Sequence, residues 1–336
     1  MTILACRCLM ANSPILYPNS SNNTSLGKAD IRYNSTFPIP STSHNTITIS
    51  TVCNNDKSPN HSITRRILQN HHPFLNEINP NIPPFAPDEA FYKEVFDKFA
   101  AASGLPEDTI PHFVDTGEVL ARCFYPSLPR DLQISIGVLT AYVFSIDDQC
   151  ADPEFREQLK SYRSVFLGQS TTNLQYIKGL YNTLNDIVSH YEWYAGDMIM
   201  KSTMDFVSIN IVEAEQTGDF MVSPSTKLFP DFLRQKSGIG EAYAFFYFPG
   251  SDWGLGDYFT LIPDIAGVIE QMNDVLSFYK ESVLGNEPGT WVKQTCVCKG
   301  FSEGEAFKER VDQCLGSIRR LRAASEGNPR LLKTVN

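Results

Sequence analysis

Three oxygen-bearing side chains, Asn273, Ser277 and Glu281, recur at intervals of four in the stretch NDVLSFYKE. On an α-helix, positions i, i+4 and i+8 stack on one face, so an amide oxygen, a hydroxyl and a carboxylate would form a single column. Hard cations such as Mg2+ take oxygen ligands of this kind. Val275, Leu276, Phe278 and Tyr279 lie between them. The polar stripe is therefore narrow, and on a core helix a narrow stripe lines something, whereas a solvated face would be broader. A second acidic feature lies upstream. Asp147 and Asp148 close PRDLQISIGVLTAYVFSIDD, a run almost wholly apolar from Ile134 to Ile146. Adjacent carboxylates at a helix C-terminus repel each other and oppose the helix dipole. Either a cation or plain solvation would relieve them.

Presenting two such clusters to each other requires helices. PDEAFYKEVFDKFAAASG opens near an Asp, repeats apolar residues at Phe91, Val95, Phe96 and Phe99, and stops at Gly104. The run beginning at Pro129 is apolar on nearly every side, as a helix inside a bundle must be. Further helices are expected over roughly 153–167, 172–190, 192–216, 229–248, 257–282, 303–324 and 329–335. Strand-like alternation is confined to TITISTV (46–52), and there is no internal repeat. The expected fold class is an all-α bundle. Residues 1–60, rich in Asn, Ser, Thr and Pro, are expected to be a disordered low-complexity N-terminal extension. Residues 61–336 are expected to form the helical domain, after a Pro-punctuated transition over 61–85 with a short helix around Ile67.

Composition narrows the function classes. The 336 residues carry 28 Lys and Arg against 38 Asp and Glu, a net charge of −10. Such a chain does not suggest a nucleic-acid binder, whose affinity comes from a basic patch. Any anion it binds needs local Arg, Lys or metal ions to offset this field. The eight cysteines are scattered, and the C-x-C pairs at 6/8 and 296/298 lack zinc-finger spacing. They read as reduced thiols of a cytoplasmic protein. No apolar stretch approaches the about eighteen residues of a membrane span. The start, MTILACRCLMANSPIL, is interrupted by Arg7 and is a poor secretory signal.

Taken together, the Asp147–Asp148 helix end and the Asn273/Ser277/Glu281 column resemble the two metal motifs of a class I terpene synthase. The closest resemblance is to the trichodiene-synthase-like sesquiterpene cyclases. NDVLSFYKE is similar to that branch's motif almost letter for letter, and KSTMDF (201–206), FLRQKSGIGE (232–241) and TWVKQ (290–294) resemble its corresponding segments. The likeness covers roughly 85–335 and leaves the N-terminal stretch outside.

The resemblance implies an all-α class I terpenoid-synthase helical bundle that ionises and cyclises farnesyl diphosphate with a cluster of three Mg2+ ions. It makes Asp147, Asn273, Ser277 and Glu281 the catalytic metal ligands. Arg234, set before the SGIG break, matches the diphosphate-sensing arginine, and Lys280 would donate to diphosphate oxygens. Asp148 joins the substrate-binding set. Fixed cations suit this role because charge builds on the leaving diphosphate as its bond to carbon breaks. Tyr142, Phe144, Phe206, Phe245, Phe246 and Tyr279 are the aromatic faces available to shield a carbocation. The partners implied are an isoprenyl diphosphate and a second copy of the chain, since the family often dimerises.

The chain departs from the pattern in two places. In DDQCAD, Ala151 stands where the branch usually has an acid, leaving Asp152 alone. The family also continues with a helix whose Arg-Tyr pair links the diphosphate to the second Asp, and no Arg-Tyr pair follows Glu281. The bundle is therefore expected to lack its last helix or helices, and Asp148 its usual partner. Chain-elongating prenyl transfer is a second reading, although it usually uses two DDxxD motifs and none occurs in strict form. An inactive relative that binds isoprenyl diphosphate without turnover is a third.

Overall fold

The structure, a computed structural model, describes residues 74–75, 77–78, 86–169, 174–285 and 287–335. The expected N-terminal extension, the strand over 46–52 and the helix around Ile67 lie outside these residues. Among the described residues every regular element is helical. In chain order they are α1 (Glu89–Ser103), α2 (Ile110–Phe124), α3 (Arg130–Gln149), α4 (Pro153–Leu159), α5 (Tyr162–Phe166), α6 (Gln175–Val188), α7 (Trp193–Gln216), α8 (Phe229–Ser237), α9 (Gly240–Phe245), α10 (Leu255–Tyr258), α11 (Ile262–Phe278), α12 (Trp291–Lys299), α13 (Glu303–Ser325) and α14 (Pro329–Val335).

Local chemistry sets several boundaries. The Asp88 carboxylate accepts from Phe91 N–H at 2.9 Å and starts α1, while Gly104 at φ 68° ends it. Pro129 precedes the first turn of α3. Ser302 and Glu305 form a reciprocal capping box at the start of α13.

Three expected helices are corrected. The helix expected over 153–167 is two short ones, α4 and α5. The one expected over 229–248 breaks into α8 and α9 at Ile239, which adopts φ 48°. The one expected over 257–282 is α10, a 3-10 turn, α11 and then a π-helical turn, Tyr279–Leu284. Helices α2 and α12 are additional.

Helices α1, α2, α3 and α6 pack as one group and α9, α11 and α13 as another, with α7 reaching α3, α6, α8 and α9. Their inward faces merge into one apolar core that includes Val114, Leu139, Leu184, Val207, Val275 and Phe307. The crossing of α2 and α3 is close. A Cβ placed on Gly117 would sit 2.3 Å from the Gly137 carbonyl oxygen. That contact fixes the axis of α3, and so the direction in which its acidic end points. No helix among the described residues is long and apolar enough to cross a membrane. Cys123, Cys150, Cys296, Cys298 and Cys314 are free thiols.

Candidate active site

Asp147 and Asp148 are both exposed at the end of α3, as their charge requires. Asp148 has a partner that the sequence did not suggest: His112, in the first turn of α2, places Nε2 3.0 Å from its carboxylate. Asp152 is engaged as a helix cap, accepting from Glu154 N–H at 2.8 Å.

The expected column lies on α11, with a change of pitch. Asn273 and Ser277 are in α-helix, but Glu281 falls in the π-helical turn. The wider turn changes the pitch between Ser277 and Glu281, and the two side chains remain in reach of each other. Such turns recur at functional sites because they re-aim a side chain. Asn273 is half-buried and Ser277 is buried. The buried Ser277 hydroxyl lies close enough to Glu281 to steady that carboxylate. Burial pushes the Glu281 pKa up, opposed by Ser277 and by Arg234. A buried hydroxyl beside a half-buried carboxylate and an amide forms an all-oxygen set that fits a hard cation.

Among the described residues no three His, Cys, Asp or Glu side chains make a metal cage on their own. Mg2+ does not need one, because it is usually held by one or two carboxylates together with waters and substrate phosphates.

Arg234, in the last turn of α8, borders the column. Its Nε lies 2.9 Å from an Asp274 oxygen, an ion-pair contact off the hydrogen-bond angle, and its Nη2 donates to the Glu270 carbonyl at 3.3 Å. Burial opposes its charge, but Asp274, Glu270, Glu281 and Glu213 hold its pKa above the ordinary arginine value. Immediately after it, the chain breaks at Gly238–Gly240. A Cβ on Gly240 would lie 2.7 Å from Glu270 Oε1 and 2.8 Å from the Ala266 carbonyl oxygen. Glycine is required there so that α9 can seat on α11.

Two further carboxylates feel charges of both the α3 end and the opposite wall. Glu213, on α7, is pushed up to about 7 by burial, with Arg234 lowering it and Asp147 raising it. Glu287, just beyond the π turn, is also raised by burial, with Lys280 lowering it and Asp147 raising it. Each group feels both Asp147 and a cation, Arg234 for Glu213 and Lys280 for Glu287, so the two motifs lie within electrostatic reach of the same carboxylates. Lys280 itself is exposed. Sequence reasoning missed His112, Glu213, Glu287 and Asp274. The first three carry no motif, and Asp274 was passed over as the letter beside Asn273.

The aromatic candidates divide by burial. Tyr142 packs edge-on against Phe99 and Tyr176, and its hydroxyl lies against Gly179 at the α1–α3–α6 junction. Phe246 is enclosed by Tyr125, Tyr191 and Tyr243, and Phe245 by Tyr194 and Tyr258. Phe206 is 3% exposed. Phe144 and Tyr279 are partly exposed, one turn from Asp148 and beside Lys280 respectively.

Comparison with known proteins places this architecture. Sequences similar to the chain include an (E)-beta farnesene synthase of Metarhizium brunneum, 34% identical over 222 residues, covering 65% of this chain and 66% of that protein. Terpene synthase BipA of Cochliobolus sativus is 27% identical over 206 residues, covering 60% and 62%. Longiborneol synthase CLM1 of Gibberella zeae is 23% identical over 247 residues, covering 71% and 72%. The chain thus spans slightly less than two thirds of the first two. The family model described as Trichodiene synthase (TRI5) matches residues 112–336, which include both acidic motifs, Arg234 and the helices that carry them, and the chain belongs to that family.

Proposed function

We propose that the chain catalyses Mg2+-dependent ionisation and cyclisation of farnesyl diphosphate to a sesquiterpene, with release of diphosphate. The observation that carries this reading is the buried Ser277 hydroxyl between Asn273 and Glu281 on one helical wall, with Arg234 fixed alongside. Family membership and relatives named as terpene synthases support it.

Asn273, Ser277 and Glu281 would hold metal on one wall, and Asp147 on the other. Bound Mg2+ would supply positive charge to a leaving diphosphate. The remaining work belongs to the chain. Arg234 offers a guanidinium already oriented by α11, and such preorganised charge costs no rearrangement as negative charge develops. Lys280, on the exposed side, donates a point charge to the same anion. Asp148, oriented by His112, completes the mouth of the site. The apolar bundle excludes water from the allylic cation left behind, and the faces of Phe144 and Tyr279 can stabilise it.

The test is incubation of the purified full chain with farnesyl diphosphate in MgCl2 or in EDTA. Organic extracts are analysed by gas chromatography–mass spectrometry, and diphosphate release is measured in parallel. A C15 hydrocarbon formed only with Mg2+ is expected. Geranyl and geranylgeranyl diphosphates, run alongside, report chain-length preference. A linear C15 product would remove cyclisation from the proposal. Absence of both product and diphosphate release would overturn it.

A further inference from the structure

Asp274 follows Asn273 directly, so the helix turns its side chain about 100° from the Asn273 face. It points between α8 and α13, where it is 10% exposed. One carboxylate oxygen faces Arg234 Nε at 2.9 Å. The other accepts from Arg310 Nε at 2.6 Å and lies 2.5 Å from Arg310 Nη2. Arg310 is more deeply set, at 4% exposure. Its guanidinium carbon lies 4.4 Å from the centroid of the Trp291 ring, and its Nη1 donates to Gln313 Oε1 at 3.0 Å. Trp291 is in turn tied to α8, its indole N–H donating to Asp231 at 2.7 Å. A continuous chain of contacts therefore runs from α13 through α11 to Arg234, with a lateral brace from α12.

Two guanidinium groups share one carboxylate, and the Asp231 carboxylate lies 3.9 Å from Arg310 Nη1. Glu270 lies within reach of both arginines, which lower its pKa against the larger effect of burial. A long arginine side chain is normally free among many rotamers, and ordering it on binding reduces affinity. Here the ordering is already complete, because both Arg234 contacts with α11 lie on its Nε and Nη2 atoms.

We propose that Asp274 and Arg310 are positioning residues: a buried clamp that fixes the Arg234 guanidinium against the helix bearing Asn273 and Ser277, and so sets where a diphosphate anion binds relative to them. This inference rests on the proposed reading of the site as a diphosphate-metal site.

The experiment is calorimetric titration of the full chain with inorganic pyrophosphate in MgCl2, arranged as a double-mutant cycle. Asp274→Asn should weaken binding about tenfold or more, the size typical of a lost supporting contact. In an Arg234→Ala background the same change should add less than about twofold, because the group it positions is gone. Arg310→Lys keeps the charge but loses the fork geometry, and should weaken binding by roughly three- to tenfold in the wild-type background only. Equal losses in both backgrounds would overturn the clamp, as would unchanged binding by a folded Asp274→Asn protein. If Asp274→Asn fails to give a helical circular-dichroism spectrum, the Arg310→Lys cycle decides. Wild-type protein that does not bind pyrophosphate with Mg2+ would overturn the site reading and the clamp together. Tight wild-type binding with no Asp274 effect would sink the clamp alone.

Discussion

Glu281 and Glu270 sit on the same helical segment and are both pushed up by burial, yet they should respond differently to pH. Glu281 belongs to the oxygen column, and a carboxyl must lose its proton to ligate a cation. The Mg2+ concentration for half-maximal activity should therefore rise as pH falls toward the raised Glu281 pKa. Glu281→Gln should abolish this trend and lower kcat/KM by about 10²-fold or more, since even outer-shell changes cost 10–100-fold. Glu270 is a stability matter. Its pKa goes from the ordinary 4.5 to about 7 on folding, and burial is the main cause. Below 4.5 both states are protonated, and the group costs nothing. Between 4.5 and about 7 only the unfolded state ionises, so stability is lost as pH rises through that window. Glu270→Gln should gain over wild type across that window and hold a constant advantage of a few kcal/mol at most above it. Unfolding midpoints measured from pH 4 to 8 would check this. The residue-scale logic of the column was legible because three oxygen types at helical spacing are rare inside an apolar helix. Its pitch was not, because a spacing of four reads as α-helix whether or not the last turn widens. Nor was Asp274, whose role appears only when α8 and α13 are in place.

Helices were read where they carry their own punctuation. Asp88 and Gly104 delimit α1, and Pro129 opens α3. Helix α2 was missed although it packs most closely on α3. It begins with Pro111 at its first turn and follows a segment of Gly, Pro and Asp that reads as loop. Helix α12 was missed because its short sequence, WVKQTCVCK, has little amphipathic period. Both matter to the site: α2 supplies His112 to Asp148, and α12 supplies Trp291 to Arg310. The α2–α3 crossing makes a direct test of how element packing aims the aspartate end. Gly117→Ala forces a methyl into the Gly137 carbonyl, and backbone cannot move aside as a side-chain tip can. Overpacking of this kind costs about 1–3 kcal/mol. Chemical denaturation should show that loss. Activity should fall further than the lost folded fraction explains, because spreading α2 from α3 also separates His112 from Asp148. Unchanged stability would mean that the crossing relaxes freely.

The whole molecule carries ten more acidic than basic residues, yet the proposed substrate is a polyanion. Around the site the imbalance is sharper. Asp147, Asp148, Glu213, Glu281 and Glu287 face it, against Arg234 and Lys280, and the charge of Arg234 is already shared with Asp274. Long-range repulsion of this kind lowers the local concentration of an anion. Two cations, one of them exposed, do not reverse it. Diphosphate and divalent ions should therefore bind as a cooperative pair, each relieving the repulsion that opposes the other. Thermal unfolding of the full chain offers a readout independent of turnover. Pyrophosphate alone should leave the midpoint nearly unchanged, and Mg2+ alone should shift it slightly. At about 100 times the dissociation constant the pair contributes about 2.7 kcal/mol, a rise of roughly 5–10 °C for a domain of this size. Asn273→Ala should remove the joint shift, read against the ligand-free midpoint of the same variant. A full shift with pyrophosphate in EDTA would show that fixed cations suffice and that the acidic field does not control binding.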